Sequence, residues 1–183
     1  MERILVVGVT GAGKSTLART LGERLGLAYH EMDALCYDGP DWAVNGSFAE
    51  DVARLVAGPR WVVDSLGRPE VRDLLWGRAD TVVWLDYPRH VVAPRVVCRS
   101  LRRSARREVL FGGNRETWRG WLSPEHPVRW SWSQYTGRRQ EIESLTRDPR
   151  FAPLETLRFA RPGATATWLA TLRRTEPGRA GEG

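Results

Sequence analysis

Between a short apolar run, Ile4-Leu5-Val6-Val7, and a stretch of helical spacing lies Gly8-Val9-Thr10-Gly11-Ala12-Gly13-Lys14-Ser15, which fits G-x-x-x-x-G-K-[ST]. A chain carrying this pattern has to fold as strand, tight loop and helix in immediate succession. Its glycines let successive backbone N–H groups turn inward, so that they and the positive end of the helix point at one anion. The pattern predicts a triphosphate cradle, with Mg-ATP as the expected nucleotide. Gly8, Gly11, Ala12 and Gly13 would wrap the phosphates, and Lys14 would bridge the β- and γ-phosphates. The Ser15 hydroxyl would go to Mg²⁺, and Thr16 would reach the α-phosphate. Of 28 Lys plus Arg, only Lys14 is lysine. A compact ammonium on a flexible stem fits inside a tight phosphate loop where a planar guanidinium does not.

The Ile4–Val7 run reads as a buried parallel strand. Four more strands are predicted near Leu27–His30, Trp61–Asp64, Thr81–Asp86 and Glu155–Phe159, with helical spacing between them. This alternation predicts an α/β fold of five parallel strands flanked by helices. The first helix is expected over about Gly13–Leu25, stopped by Gly26. Ser47-Phe48-Ala49-Glu50 reads as a capping box, opening a helix that turns Val52, Leu55 and Val56 inward. Pro69 and Gly77 bracket a short helix, and others are expected over about Ser133–Thr146 and Ala164–Arg174. Residues 1–175 read as one domain, with an irregular Arg- and Trp-rich lid at about 104–132 and a frayed tail at 176–183.

The net charge of +6 and a pI near 10.1 suit either a polyanionic partner or a protein that handles phosphates. Cys36 and Cys98 lie far apart without metal-ligand spacing, and His30, His90 and His126 are equally scattered, so no zinc site is suggested. The N-terminal apolar run is too short for a signal core or a membrane span, and a cytoplasmic protein with reduced cysteines is expected.

Several side chains outside the loop are candidates for chemistry. Two apolar runs end in aspartate, Asp64 and Asp86, and either could hold the magnesium hydration shell. Asp33 follows the second strand, where a carboxylate can orient a hydroxyl and accept its proton, or can simply cap a helix. From Arg89 to Arg107 there are seven arginines and no acid. Helical spacing puts Arg95, Arg99, Arg102 and Arg106 on one face, with Val97, Leu101 and Ala105 opposite. Pro94 either kinks that helix or starts it. The arginine stripe would neutralise charge on a transferring phosphoryl group or be a solvated basic face. Trp118, Trp121, Trp130 and Trp132 would pack the lid, stack on a base, or with the arginines form a nucleic-acid surface.

The chain resembles adenylate-kinase-like P-loop proteins of the DNA topology modulation family. The likeness rests on the loop Gly8–Ser15, on His30-Glu31-Met32-Asp33 with Trp42, and on Trp61-Val62-Val63-Asp64. It extends over Asp80 to Arg89 and Gly112-Gly113-Asn114-Arg115-Glu116. The resemblance implies a third strand beside the loop strand, which favours Asp64 over Asp86 as the carboxylate that reaches magnesium through water. It implies Asp33 facing the phosphoryl acceptor, and lid arginines Arg95, Arg99 and Arg138 or Arg139. The activity implied is a kinase that transfers the γ-phosphoryl group of Mg-ATP to an unidentified small acceptor. The alternative is a nucleic-acid-associated, ATP-binding regulator. One departure is Asp64-Ser65-Leu66-Gly67, where the family has Asp-Gly-Asn-Tyr, so the acceptor contacts of that loop do not carry over. Arg68 and Arg72 would replace them as acceptor-site cations, or decorate a surface helix.

Overall fold

A computed structural model describes residues 1–39, 43–106 and 127–172. Its centre is β1 (Arg3–Gly8), in which Ile4, Leu5, Val6 and Val7 are all fully buried. Both faces of the strand are covered, which is why its apolar residues run on without alternation. On one side β1 pairs with β3 (Trp61–Val63), and β3 with β2 (Ala28–His30). On the other it pairs with β4 (Thr81–Leu85), and β4 with β5 (Glu155–Phe159). All pairings are parallel and the order is β2-β3-β1-β4-β5. The expected five-stranded parallel α/β sheet is therefore what forms.

Successive side chains of β1 enter two cores. Leu5 and Val7 join Trp61, Val63, Val82 and Trp84. This face is covered by α2 (Met32–Cys36), α3 (Phe48–Ala57), α4 (Pro69–Arg78) and α6 (Pro127–Thr146). Ile4 and Val6 join Val62, Val83 and Leu85 beneath α1 (Lys14–Leu25), with Val92 of α5 (Arg89–Arg106). A 3₁₀ turn (Pro149–Phe151) precedes β5, and α7 (Pro162–Thr171) follows it, packing Trp168 on Phe159.

The helices correct several expectations. Ser47 makes no side-chain cap bond; the loop before α3 is instead organised by Asn45, whose Oδ1 accepts the Ser47 N–H and whose Nδ2 donates to Asp51. Phe48, Val52 and Val56 point inward there, while Leu55 is only half-buried. Pro94 lies inside α5, which starts at Arg89. The buried stripe of α5 is Val92, Val96, Ser100 and Ser104, and Leu101 is 42% exposed, so the expected apolar face of Val97, Leu101 and Ala105 does not form. Two small serines let α5 approach the body closely, a burial that hydropathy alone does not signal. The stretch expected to be irregular over about 104–132 is helical at both of its ends. Residues 104–106 close α5 and 127–132 open α6, while 107–126 lie outside the described residues, with Gly112–Glu116, Trp118 and Trp121. Trp42 and the 176–183 tail also lie outside them. Among the described residues no helix is long and apolar enough to cross a membrane.

Asp86, just past β4, fastens this frame. Arg139 of α6 donates to both its oxygens, at 2.6 and 3.0 Å, and Arg158 of β5 donates twice to Oδ2 while its guanidinium lies 4.3 Å from the Trp84 ring. The aspartate side chain is 6% exposed and the two arginine side chains 39% and 42%. Asp86→Ala should therefore cost about 2 kcal/mol, below the range for breaking a fully buried pair because water reaches the freed arginines. Urea unfolding measures this, and a loss under about 0.5 kcal/mol, typical of an exposed pair, would contradict it.

Candidate active site

The loop is shaped by what packs behind it. Gly8, Gly11 and Gly13 all have positive φ, which L side chains rarely adopt. A Cβ on Gly8 would lie 2.8 Å from the Leu85 carbonyl oxygen, and one on Gly11 would lie 2.6 Å from Val96 Cγ2 and 2.7 Å from the Val92 oxygen. The sheet and α5 thus press directly on the loop backbone. Gly13 has nothing within 4 Å on its Cβ side and caps α1 without a side-chain cap bond. With no acid in the first turn of α1, the positive end of the helix is left for an anion. The Lys14 ammonium donates to the Val9 carbonyl at 3.3 Å. Burial lowers its pKa, while Asp64 and Asp33 pull it back up.

Two carboxylates, Asp64 and Asp33, act on this lysine, and a third, Glu31, acts with them. Asp64 sits at the end of β3, 8% exposed, and accepts the Met32 N–H at Oδ1 (3.1 Å) and the Tyr29 hydroxyl at Oδ2 (3.2 Å). Asp33 is the second residue of α2; its neighbour Glu31, not Asp33, occupies the cap position, so the helix-cap alternative for Asp33 does not hold. Solvent reaches Asp33 through the mouth of the cleft, yet the surrounding walls desolvate its carboxyl and raise its pKa, opposed by Lys14 and reinforced by Asp64. Glu31 is raised in the same way, by burial and then by Asp64. The sequence reading gave Glu31 no separate role; its signal was its place two residues before Asp33 at the end of a strand.

This donor set fits magnesium. Ser15 and Asp64 both interact with Tyr29, and the mutual repulsion of Glu31, Asp33 and Asp64 is what a divalent cation would relieve. Among the described residues no three His, Cys, Asp or Glu side chains are close enough to ligate a metal by themselves. Asp86, engaged by Arg139 and Arg158, does not line the cleft; Asp64 does.

The arginines divide differently from the stripe read in the sequence. Arg95 donates to the Ala12 carbonyl at 3.4 Å and lies over Tyr87, so it touches the loop from outside. Arg99 acts on both Lys14 and Asp33, and the next cation turned inward is Arg103, which acts on Asp33 and Glu31. Arg102 and Arg106 are exposed. A spacing of four residues, not the mixed three and four, follows the buried Val96-Ser100-Ser104 stripe. On α6, Arg138 lines the cleft and Arg139 is the one drawn to Asp86.

The cleft holds about 450 Å³. Lys14 and the loop line it together with Asp33, Cys36, Tyr37 and Arg68, and α6 contributes Gln134, Tyr135, Arg138 and Ile142. Arg68 donates to Cys36 Sγ (3.3 Å) and to Glu70 (2.8 Å). Arg72 is scaffold: it donates twice to the Gly67 carbonyl and pairs with Glu141 at 2.7 Å, while Glu141 also takes Arg138 at 3.2 Å. Trp132 is 59% exposed and stacks with Arg89.

No family model matches the chain. A shikimate kinase of Geobacter metallireducens is 32% identical over 126 residues, which are 60% of this chain and 67% of that one. Among solved structures, a shikimate kinase from Acinetobacter baumannii in complex with shikimate aligns over 93% of this chain and 89% of that one, at 18% identity and a TM-score of 0.49. A gluconokinase from Sinorhizobium meliloti 1021 aligns over 92% and 89%, at 20% identity and a TM-score of 0.46. The Geobacter likeness supports a P-loop kinase and stops short of the DNA topology modulation proteins.

The raised pKa of Asp33 has a thermodynamic consequence. Between its unfolded and folded values the folded protein binds the extra proton, so the contribution of Asp33 to stability falls as pH rises through that window. Asp33→Asn is expected to raise Tm at neutral pH, with the gain closing toward about pH 4, near the value of an unperturbed aspartate. Melting curves across that range test it, and a variant that melts below the wild type at neutral pH would show that the Asp33 charge is stabilising.

Proposed function

The chain belongs to the family of P-loop kinases that includes shikimate kinase, and on that premise we propose that it transfers the γ-phosphoryl group of Mg-ATP to a hydroxyl of a small anionic acceptor. The observation that carries this reading is the single cleft in which Lys14 and Asp33 act on each other while Arg68 and Arg138 line the space beyond the loop. A carboxylate that orients a hydroxyl, with guanidiniums close by, suits a compound bearing both a hydroxyl and a carboxylate or phosphate.

Asp33 aligns the acceptor hydroxyl and takes its proton as the new O–P bond forms and the bond to the ADP oxygen breaks. Burial raises its pKa, which makes the carboxylate a stronger base than a free aspartate. Lys14 follows the transferring phosphoryl group, with Arg99 and Arg138 beside it, and Arg95 braces the loop through the Ala12 carbonyl. When bound, magnesium neutralises charge on the β- and γ-phosphates. Ser15, and Asp64 through water, are the groups that would hold it. Gly8, Gly11, Ala12, Gly13 and Thr16 complete the nucleotide contacts.

ADP release from Mg-ATP, measured across shikimate and other small hydroxy acids, nucleoside monophosphates, neutral sugar alcohols and short duplex DNA, tests the reading. Release should depend on a small anionic acceptor. Lys14→Ala should abolish ATP binding, and Asp33→Asn should spare binding and lower turnover by roughly 10²-fold or more. Arg68→Leu should raise the acceptor KM about tenfold without changing ATP affinity. Release stimulated by DNA and by no small acceptor would instead support the nucleic-acid regulator, whose basis is the exposed basic face of Arg95, Arg102 and Arg106.

A further inference from the structure

A serine hydroxyl that offers its oxygen to a metal has to send its hydrogen elsewhere, and where that hydrogen goes decides which way the lone pairs face. Tyr29, from β2, interacts with both Ser15 and Asp64. Its hydroxyl donates to Asp64 Oδ2 at 3.2 Å, which leaves the phenolic oxygen able to accept from the neighbouring Ser15 hydroxyl. Asp64 is held from its other side by the Met32 N–H at Oδ1, the first residue of the helix that carries Asp33. The ring of Tyr29 is fixed independently of its hydroxyl, by packing on the α1 core and by Arg19 at 5.5 Å from its centroid.

We propose that Tyr29 is a positioning residue for the metal site: by passing a hydrogen bond from Ser15 to Asp64 it orients the Ser15 hydroxyl and fixes the Asp64 carboxylate for magnesium. The proposal rests on Gly8–Ser15 binding Mg-ATP. Tyr29 touches neither phosphate nor acceptor in this role. Its effect belongs to the metal-dependent part of nucleotide binding and not to the loop amides or Lys14.

Tyr29→Phe removes the hydroxyl and keeps the ring. Calorimetric titration of the full chain with ATP, once in excess Mg²⁺ and once in EDTA, separates the two parts without requiring an acceptor or turnover. The variant should bind ATP in EDTA within about twofold of the wild type, and lose roughly tenfold of the affinity that Mg²⁺ adds, the scale of an outer-shell partner of a metal ligand. A merely structural tyrosine would weaken both titrations together, and that result, or an unchanged Mg²⁺ gain, would overturn the proposal. Asp64→Asn supplies a second arm. If Tyr29 acts through Asp64, the double variant loses less than the sum of the two single losses, and strict additivity would overturn the relay. A wild type that binds no ATP in either buffer would overturn the nucleotide reading itself, a result distinct from a failure of Tyr29.

Discussion

The backbone of the loop between β1 and α1 must do two incompatible-looking things at once. One side has to be bare, so that amides and a helix end meet a phosphate chain. The other has to be packed hard enough that those amides stay aimed without the phosphate. Gly8 and Gly11 solve the second demand, since Leu85 and α5 lie where their side chains would be. Gly13 solves the first, with open space beside it and a left-handed φ that starts the helix. The neighbouring strands follow from that arrangement: β3 and β4 must flank β1, and the residues just past their ends are brought to the loop's two sides.

From those two flanks the aspartates diverge in use. Asp64 stays near Lys14 among other carboxylates, an electrostatic frustration that a bound divalent cation would relieve. Asp86 is neutralised twice over by arginines of α6 and β5 and gives the sheet edge and the helix a common anchor. Adjacent residues on α6 thereby serve different ends, with Arg139 committed to the frame and Arg138 facing the cleft. The first use opposes stability and the second supports it.

Local pattern made the fold readable. Glycine positions, strand-length apolar runs and their alternation with helical spacing placed all five strands to within a residue or two, because each signal arises where it acts. The loop was readable for the same reason. The arginine helix was not, since its buried face is carried by Ser100 and Ser104, and only tertiary packing distinguishes a buried serine from an exposed one. Choosing between Arg138 and Arg139 likewise needed the position of Asp86, fifty residues away in sequence. Tyr29 and Glu31 carry no role legible in the sequence, because a tyrosine in a strand and a glutamate before a helix are ordinary until Asp64 is seen beside them.

The scarcity of lysine has a chemical side. Arginine stays charged at any pH a protein survives, so twenty-seven of the twenty-eight basic side chains are inert toward acylating reagents. The remaining one is a buried amine whose pKa is depressed, which increases the fraction present as the free nucleophile. The chain therefore carries a single acylable side-chain amine, and it lies where triphosphate would shield it. Apart from the α-amino group, amine acylation of this protein amounts to a one-residue footprint of its own nucleotide loop.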